Sequence, residues 1–171
     1  MKKRIKIKYY SSPCGEMVLG SCEERLCLCD WKESKHRVSV DNRLQRLLRG
    51  EMMEGDSKVI DKTCGELDEY FAGKRRRFDV ILNFCGTDFQ VKVWRALLKI
   101  GYGETVSYSE LAKRVGMPTG VRVVANAIGT NAISVIVPCH RVIGTNNNLT
   151  GYSGGLETKQ YLLDLEFQNK K

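Results

Sequence analysis

The chain has little histidine, little proline and no long apolar run: its 171 residues hold two His and three Pro. No stretch approaches the roughly 20 apolar residues of a membrane span, so no transmembrane helix and no membrane partner are expected. Met1-Lys2-Lys3-Arg4-Ile5-Lys6-Ile7-Lys8 starts basic but leads into no apolar core. That excludes a signal peptide and gives the cytoplasm as the expected location. The seven cysteines (14, 22, 27, 29, 64, 85 and 139) are an odd number. Without a secretory signal they read as free thiols in a reducing compartment, not as a disulfide framework. Internal repeats and low-complexity segments are also missing. What remains, 42% hydrophobic and 28% charged residues, is ordinary globular composition for one domain or two small lobes.

The net charge of +8 favours polyanions, chiefly nucleic acid. Both halves carry the same excess of positive charge, so charge alone locates no binding face. Lys74-Arg75-Arg76-Arg77 is readable as a phosphate-contacting patch, though such a run is more often a solvated surface loop.

Residues 4–10 alternate Ile5, Ile7, Tyr9 with Lys6, Lys8, Tyr10, the period-two pattern of a strand. A turn at 11–15 and strands near 16–21 and 25–31 follow. Asp41 is the expected cap of a short helix carrying Leu44, Leu47 and Leu48, stopped by Gly50. A stronger helix is expected over 57–72, with Ile60, Cys64, Leu67 and Phe71 on one stripe and Gly73 after it. Phe78 to Leu82 reads as a last strand, and the boundary falls between Phe84 and Asp88. The pattern then turns helical. Asp88 is the expected cap of a helix with Val91, Trp94, Leu97 and Leu98. Ser107 and Glu110 have capping-box spacing before a helix through Leu111 and Val115. After Met117-Pro118-Thr119-Gly120, a second short helix carries Val121, Val124, Ala125 and Ile128.

Two short helices joined by a tight turn outline a helix-turn-helix, an outline shared by helix pairs with no nucleic-acid role. The polar face of the second holds Arg122 and Asn126 amid Gly120, Ala125 and Ala127. Small residues permit close backbone approach to a groove, and a single protruding Arg can serve as a probe.

Cys139 lies beside His140, one of only two histidines, after the apolar run Ile133–Val137. A thiol becomes a strong nucleophile when a base or positive surroundings make it a thiolate. Here Pro138 fixes the approach, His140 is titratable, and Arg141 adds charge that favours a thiolate. Neighbouring side chains on an extended segment point apart, so His140 reaches the sulfur only through a bend or a bridging water. In the last helix, Leu156 to about Phe167, Glu166 follows Leu162 and Leu163 on the apolar stripe. A buried Glu166 would fix the tautomer of His140. Cys139, His140 and Glu166 then form a relay of nucleophile, base and orienter. The glycine-rich run Thr150-Gly151-Tyr152-Ser153-Gly154-Gly155 suits a pocket wall that presses backbone and a ring onto a flat ligand. The plain alternatives are a structural cysteine, a helix-end charge and a helix-entry loop.

Pro138-Cys139-His140-Arg141-Val142, with Gly151-Tyr152-Ser153-Gly154-Gly155-Leu156 and Gly103-Glu104-Thr105-Val106-Ser107-Tyr108, resembles the O6-alkylguanine-DNA alkyltransferases (methylated-DNA–protein-cysteine methyltransferases). The resemblance runs almost continuously over residues 86–171. It implies an α+β protein in two domains. Residues 1–85 form a supporting α/β lobe with an antiparallel, ribonuclease-H-like sheet; residues 86–171 form a mostly helical, winged-helix-like lobe that binds DNA and accepts the alkyl group. It implies a monomer acting on double-stranded DNA from the minor groove, flipping O6-alkylguanine, with O4-alkylthymine as a further substrate, into a pocket. Cys139 would take the alkyl group irreversibly, His140 acting through a water and Glu166 completing the relay. Tyr108 would bond the flipped base and Arg122 would fill the vacated stack. Thr119, Gly120, Ala125 and Asn126 would line the DNA, and Asn131 would be the hinge. Arg141, Val142, Tyr152 and Ser153 would border the guanine pocket. No cofactor or metal is needed.

Two departures stand out. Ala132-Ile133-Ser134 replaces a segment where prolines are common. Cys22 and Cys27 fall where some relatives place two zinc ligands, but no His is near; Cys29 or Cys85 are the substitutes, and the set is incomplete. Two other functions compete: a non-catalytic binder of alkylated DNA, which would lack Cys139, and a cysteine hydrolase, which would turn over without DNA.

Overall fold

The computed structural model describes residues 1–145 and 149–171. It divides into two compact units, Met1–Gly86 and Thr87–Lys171.

The first unit is built on a four-stranded sheet of order β3-β2-β1-β4. Strands β1 (Lys3–Ser12), β2 (Gly15–Cys22) and β3 (Arg25–Trp31) form an antiparallel meander. The β1–β2 turn uses Gly15 at φ 125°, and the β2–β3 turn places Glu23 and Glu24 at φ 51° and 63°. That is the turn hand a two-residue hairpin prefers, achieved here without glycine. Beyond the expected meander, β4 (Gly50–Glu54) adds a parallel edge to β1, pairing Lys3 with Gly50 and Ile7 with Glu54.

Helix α1 (Arg37–Leu48) makes that crossover. It starts one turn earlier than expected: Asp41 does not cap it but pairs with Arg37, one turn before it. Gly50 does not stop it either. Arg49 takes the left-handed conformation (φ 53°) at the cap, freeing Gly50 to open β4. Helix α2 (Lys58–Phe71) is capped by Ser57. Its buried side is Val59, Ile60, Thr63, Glu66, Leu67 and Tyr70, with Cys64 and Phe71 only half-buried. The stripe is rotated towards Thr63, Glu66 and Tyr70, and the buried Glu66 accepts the Asp79 N–H at 2.7 Å. Phe78–Leu82 is not a strand; it touches β3 through one bridge, Leu26 to Leu82.

In the second unit, α3 (Asp88–Leu97) is capped by Thr87, not Asp88, in a full capping box with Gln90. The α3 indole of Trp94 donates to the Ala127 carbonyl at 2.9 Å, tying this helix to α5 (Val121–Gly129). Between them, α4 (Tyr108–Arg114) is capped by Ser107, whose hydroxyl accepts from the Glu110 N–H at 3.0 Å. Only that half of the box forms, since the Glu110 carboxylate reaches Arg114. Val93, Trp94, Leu97, Leu111, Val124 and Ile128 join the three helices in one core. Two short parallel strands, β5 (Val106–Ser107) and β6 (Val142–Ile143), and α6 (Leu156–Asn169) complete the unit. No described helix is long and apolar enough to cross a membrane.

Candidate active site

Cys139 is held by an unusual stretch of backbone. Ile133–Val137 is buried throughout but coils instead of forming a strand. Ile136 N–H bonds back to Ser134 at 2.8 Å across Val135, whose φ is 70°. A β-branched residue in that region is strained and persists only where its surroundings enforce it. Cys139 N–H then bonds to Val137 at 2.7 Å across Pro138 (φ −80°, ψ 64°), an inverse γ-turn. The chain continues into one 3-10 turn, Cys139–Arg141. At three residues per turn, successive side chains fan out by about a third of a circle. Cys139, His140 and Arg141 therefore face three directions.

Asn131, buried at the end of α5, organises the first direction. Its Nδ2 donates to the Val137 carbonyl (3.0 Å), the Ile133 carbonyl (3.3 Å) and Cys139 Sγ (3.3 Å), while its Oδ1 accepts the Ile133 N–H (3.0 Å). The expected hinge residue thus touches the expected nucleophile.

His140, 0% exposed, has Nε2 2.6 Å from Glu166 Oε2. A carboxylate only accepts, so the neutral ring carries its proton on Nε2 and leaves a lone pair on Nδ1. Nδ1 is buried and has no hydrogen-bond partner among the described residues. Burial pushes the imidazole below its ordinary value; Glu166 opposes this, and Arg141 and Lys159 add to it. Burial would raise the Glu166 carboxyl, but hydrogen bonds and charge from His140 and Arg141 hold it well below the usual carboxylate range. The partner that guarantees this is Arg141, because a guanidinium is always charged whereas a neutral imidazole is not.

The Arg141 charge, expected to favour a thiolate at Cys139, is engaged with Glu166, Nε to Oε1 at 2.7 Å and Nη2 to Oε2 at 3.1 Å.

Lys159 was not anticipated. It is 0% exposed on α6, and its Nζ donates to Val142 O (2.6 Å) and Thr150 O (2.9 Å). Burial pushes its amine down to about 8, partly countered by the nearby Cys139. The signal was available: Lys159 lies seven residues before Glu166, on the same helical stripe. Its two bonds fasten β6 to the start of the glycine-rich loop. Tyr108, half-buried, donates to Thr150 at 3.3 Å, and its ring faces the Lys159 ammonium at 5.8 Å. Val142 is buried; Tyr152 and Ser153 are half-buried, with Gly151 (φ 40°) and Gly155 (φ 89°) bending the loop around them.

On α5 and the turn before it, Thr119, Arg122 and Asn126 are exposed and Gly120 and Ala125 half-buried. Ala127 is instead buried, its carbonyl taken by Trp94. Val123, 49% exposed, joins the open face. In the first unit, no described group of three or more His, Cys, Asp or Glu is placed to hold a metal. Burial raises the Cys22 thiol and pushes Cys85 up to about 11, with the Arg43 charge beside the latter.

Two family models match the chain. Residues 5–84 match the ribonuclease-like domain of 6-O-methylguanine DNA methyltransferase, and residues 88–168 match its DNA binding domain. A methylated-DNA–protein-cysteine methyltransferase from Methanosarcina acetivorans is 41% identical over 157 residues, covering 92% of this chain and 95% of that protein. One from Mycobacterium tuberculosis is 55% identical over 111 residues, 65% of this chain and 67% of that one. The crystal structure of Mycobacterium tuberculosis OGT in complex with DNA superposes with a TM-score of 0.81 at 38% identity, covering 99% of this chain and 94% of that chain.

Proposed function

The chain belongs to the 6-O-methylguanine DNA methyltransferase family, and on that premise we propose that it repairs O6-alkylguanine in duplex DNA by moving the alkyl group onto its own Cys139. The observation that carries the reading is the paired bonding of Cys139 to Asn131 and of His140 to Glu166, which leaves Nδ1 of His140 as the unengaged base.

The thiol proton of Cys139 passes to that Nδ1 through a water, since the 3-10 turn directs the two side chains apart. The thiolate, held by the Asn131 N–H, attacks the alkyl carbon in line with the C–O6 bond. A sulfur–carbon bond forms, the carbon–oxygen bond breaks, and its electron pair returns to the guanine. Displacement at a saturated carbon builds no oxyanion on the alkyl group, so the centre needs a thiolate and a positioned base but no oxyanion hole. The thioether is stable, and each molecule acts once.

The lesion reaches the sulfur by flipping, which costs a few kcal/mol of stacking and pairing. Arg122, exposed on α5, fills the vacated space, while the small Gly120 and Ala125 let the helix press into a minor groove. Thr119 and Asn126 flank it. Tyr108 exchanges its long bond to Thr150 for one to the flipped base. Val142, Tyr152 and Ser153 wall the pocket, and Lys159 fixes that wall. Residues 86–171 carry this work as a monomer in the cytoplasm, and residues 1–85 support it. A non-catalytic binder has no use for the Asn131–Cys139–His140–Glu166 arrangement, and a hydrolase none for an exposed Arg122 helix.

Arg122→Ala tests the assignment. Repair of duplex O6-methylguanine should fall at least about tenfold while reaction with free O6-benzylguanine changes little, since the free base needs no flipping. Equal losses on both substrates would refute the role given to Arg122.

A further inference from the structure

We infer that Arg141 is a positioning residue of the alkyl-acceptor centre: by clamping both oxygens of Glu166 it keeps His140 a neutral, proton-accepting base instead of a resident imidazolium. The inference rests on the relay proposed above and assigns it a fourth member.

The clamp is specific in its geometry. Arg141 offers Nε to Oε1 (2.7 Å) and Nη2 to Oε2 (3.1 Å), the parallel fork that only a guanidinium presents to a carboxylate. Its remaining arm, Nη1, is tied to the Ile100 carbonyl at 2.7 Å, and the Tyr102 ring lies 5.7 Å from its central carbon. The Gly103 N–H approaches Oε1 at 3.3 Å from the same segment. Gly103 has φ 75°, and a Cβ there would meet Lys170 Cβ at 2.7 Å, so this donor is built into the backbone. Glu166 therefore has its plane fixed by groups other than His140, and Oε2 is shared between His140 (2.6 Å) and Arg141.

The charge arithmetic explains why this matters. A buried imidazole facing a carboxylate alone is drawn towards the imidazolium, because an opposite charge in a poorly solvated site favours the charged form. An imidazolium has no lone pair and cannot take the thiol proton. With Arg141 on the same carboxylate, the pair is already neutral, and a resting imidazolium would add an unbalanced buried charge. When Cys139 yields its proton, the sulfur gains one negative charge and His140 one positive charge, so the buried total is unchanged. The charged groups around His140 are Glu166 and Lys159 from α6 and Arg141 from its own turn. Lys159 acts in the same sense as Arg141, but it is bonded to backbone carbonyls and leaves the carboxylate unclamped.

The test uses the chain's two histidines, His36 and His140, whose ring nitrogens are resolvable by NMR once His36→Gln assigns them. In the full-length wild type, His140 should stay neutral with its proton on Nε2 from pH 6 to 8. In R141M and R141Q, which remove the positive charge, its titration midpoint should rise by about one pH unit or more, a tenfold change in protonation. The acid limb of the rate of alkylation by free O6-benzylguanine should move the same way. The double variant R141M/E166Q, which removes both charges, should return the midpoint to the wild-type position or below it. A merely structural Arg141 would weaken folding without moving the midpoint or letting E166Q restore it. Should R141M not fold, R141Q decides. A folded R141Q whose His140 titration superimposes on wild type overturns the inference. Failure of wild type to react with O6-benzylguanine would instead count against the alkyl-transfer reading, leaving the NMR titration to judge the clamp.

Discussion

Asn131→Ala removes four hydrogen bonds, but they are not equivalent. The Ile133 carbonyl keeps the Val137 N–H at 3.0 Å, and the Val137 carbonyl keeps the Cys139 N–H at 2.7 Å. The Ile133 N–H, in contrast, has Asn131 Oδ1 as its recorded acceptor and is buried. One orphaned donor costs about 1–3 kcal/mol, and loss of the bonds to groups that retain a partner adds about 1 kcal/mol. The expected destabilisation is therefore about 2–4 kcal/mol, confined to the unit that contains Asn131. Urea unfolding followed by Trp94 fluorescence, in a Trp31→Phe background, reads that unit alone, because these are the chain's two tryptophans. The same substitution strips the thiolate of its Nδ2 donor. A hydrogen bond to a charged group contributes about 1.5–3 kcal/mol. If it forms fully only with the thiolate, alkyl transfer slows roughly 10- to 100-fold. A loss under about 1 kcal/mol together with an unchanged rate would refute the view that Asn131 organises both the loop and the sulfur.

Lys159→Met trades two bonds to carbonyls for relief of a buried charge, so stability should change by less than about 1 kcal/mol. Alkyl transfer to free O6-benzylguanine should nonetheless fall roughly tenfold as the 149–155 wall loosens; an unchanged rate would remove Lys159 from the site. His140, held below its ordinary value, stays neutral in the folded protein after the unfolded chain has begun to bind a proton. Stability should thus decline as pH falls through about 6.5, by up to about 1.4 kcal/mol per pH unit. Glu166, also held low, adds a loss of the same sign only below about pH 4.3. Denaturation midpoints of wild type and His140→Gln from pH 7.5 to 5 should diverge accordingly, and parallel curves would contradict a neutral native His140.

The site was legible where its logic is local. The Cys139-His140 adjacency, the Glu166 stripe and the Ser107 cap all depend on neighbours within a turn or two. The parallel strand Gly50–Glu54 was hidden because its partner lies some fifty residues away and Arg49, not Gly50, adopts the left-handed cap. Phe78–Leu82 reads like a strand but finds a single bridge, and pattern alone does not reveal how many partners a segment will meet. Asp88 lost the cap to Thr87 because Gln90 closes a box only with the earlier residue. Lys159 was missed because a lysine on an apolar stripe normally snorkels outward; here two carbonyls hold it inside. The coil at Val135 has no sequence mark, since valine is among the residues least suited to positive φ. The Arg141 charge, read as an aid to Cys139, went to Glu166 once the 3-10 turn separated their directions.

The central claim, that Cys139 is the single-use acceptor of the alkyl group, is met most directly by intact-mass and peptide mass spectrometry after incubation with duplex DNA containing O6-methylguanine. Fully reduced wild type should gain one methyl group, located on Cys139 and on none of the other six cysteines, with no second turnover. Cys139→Ala should gain none. An unmodified wild type, or methylation that persists in Cys139→Ala, would contradict the account.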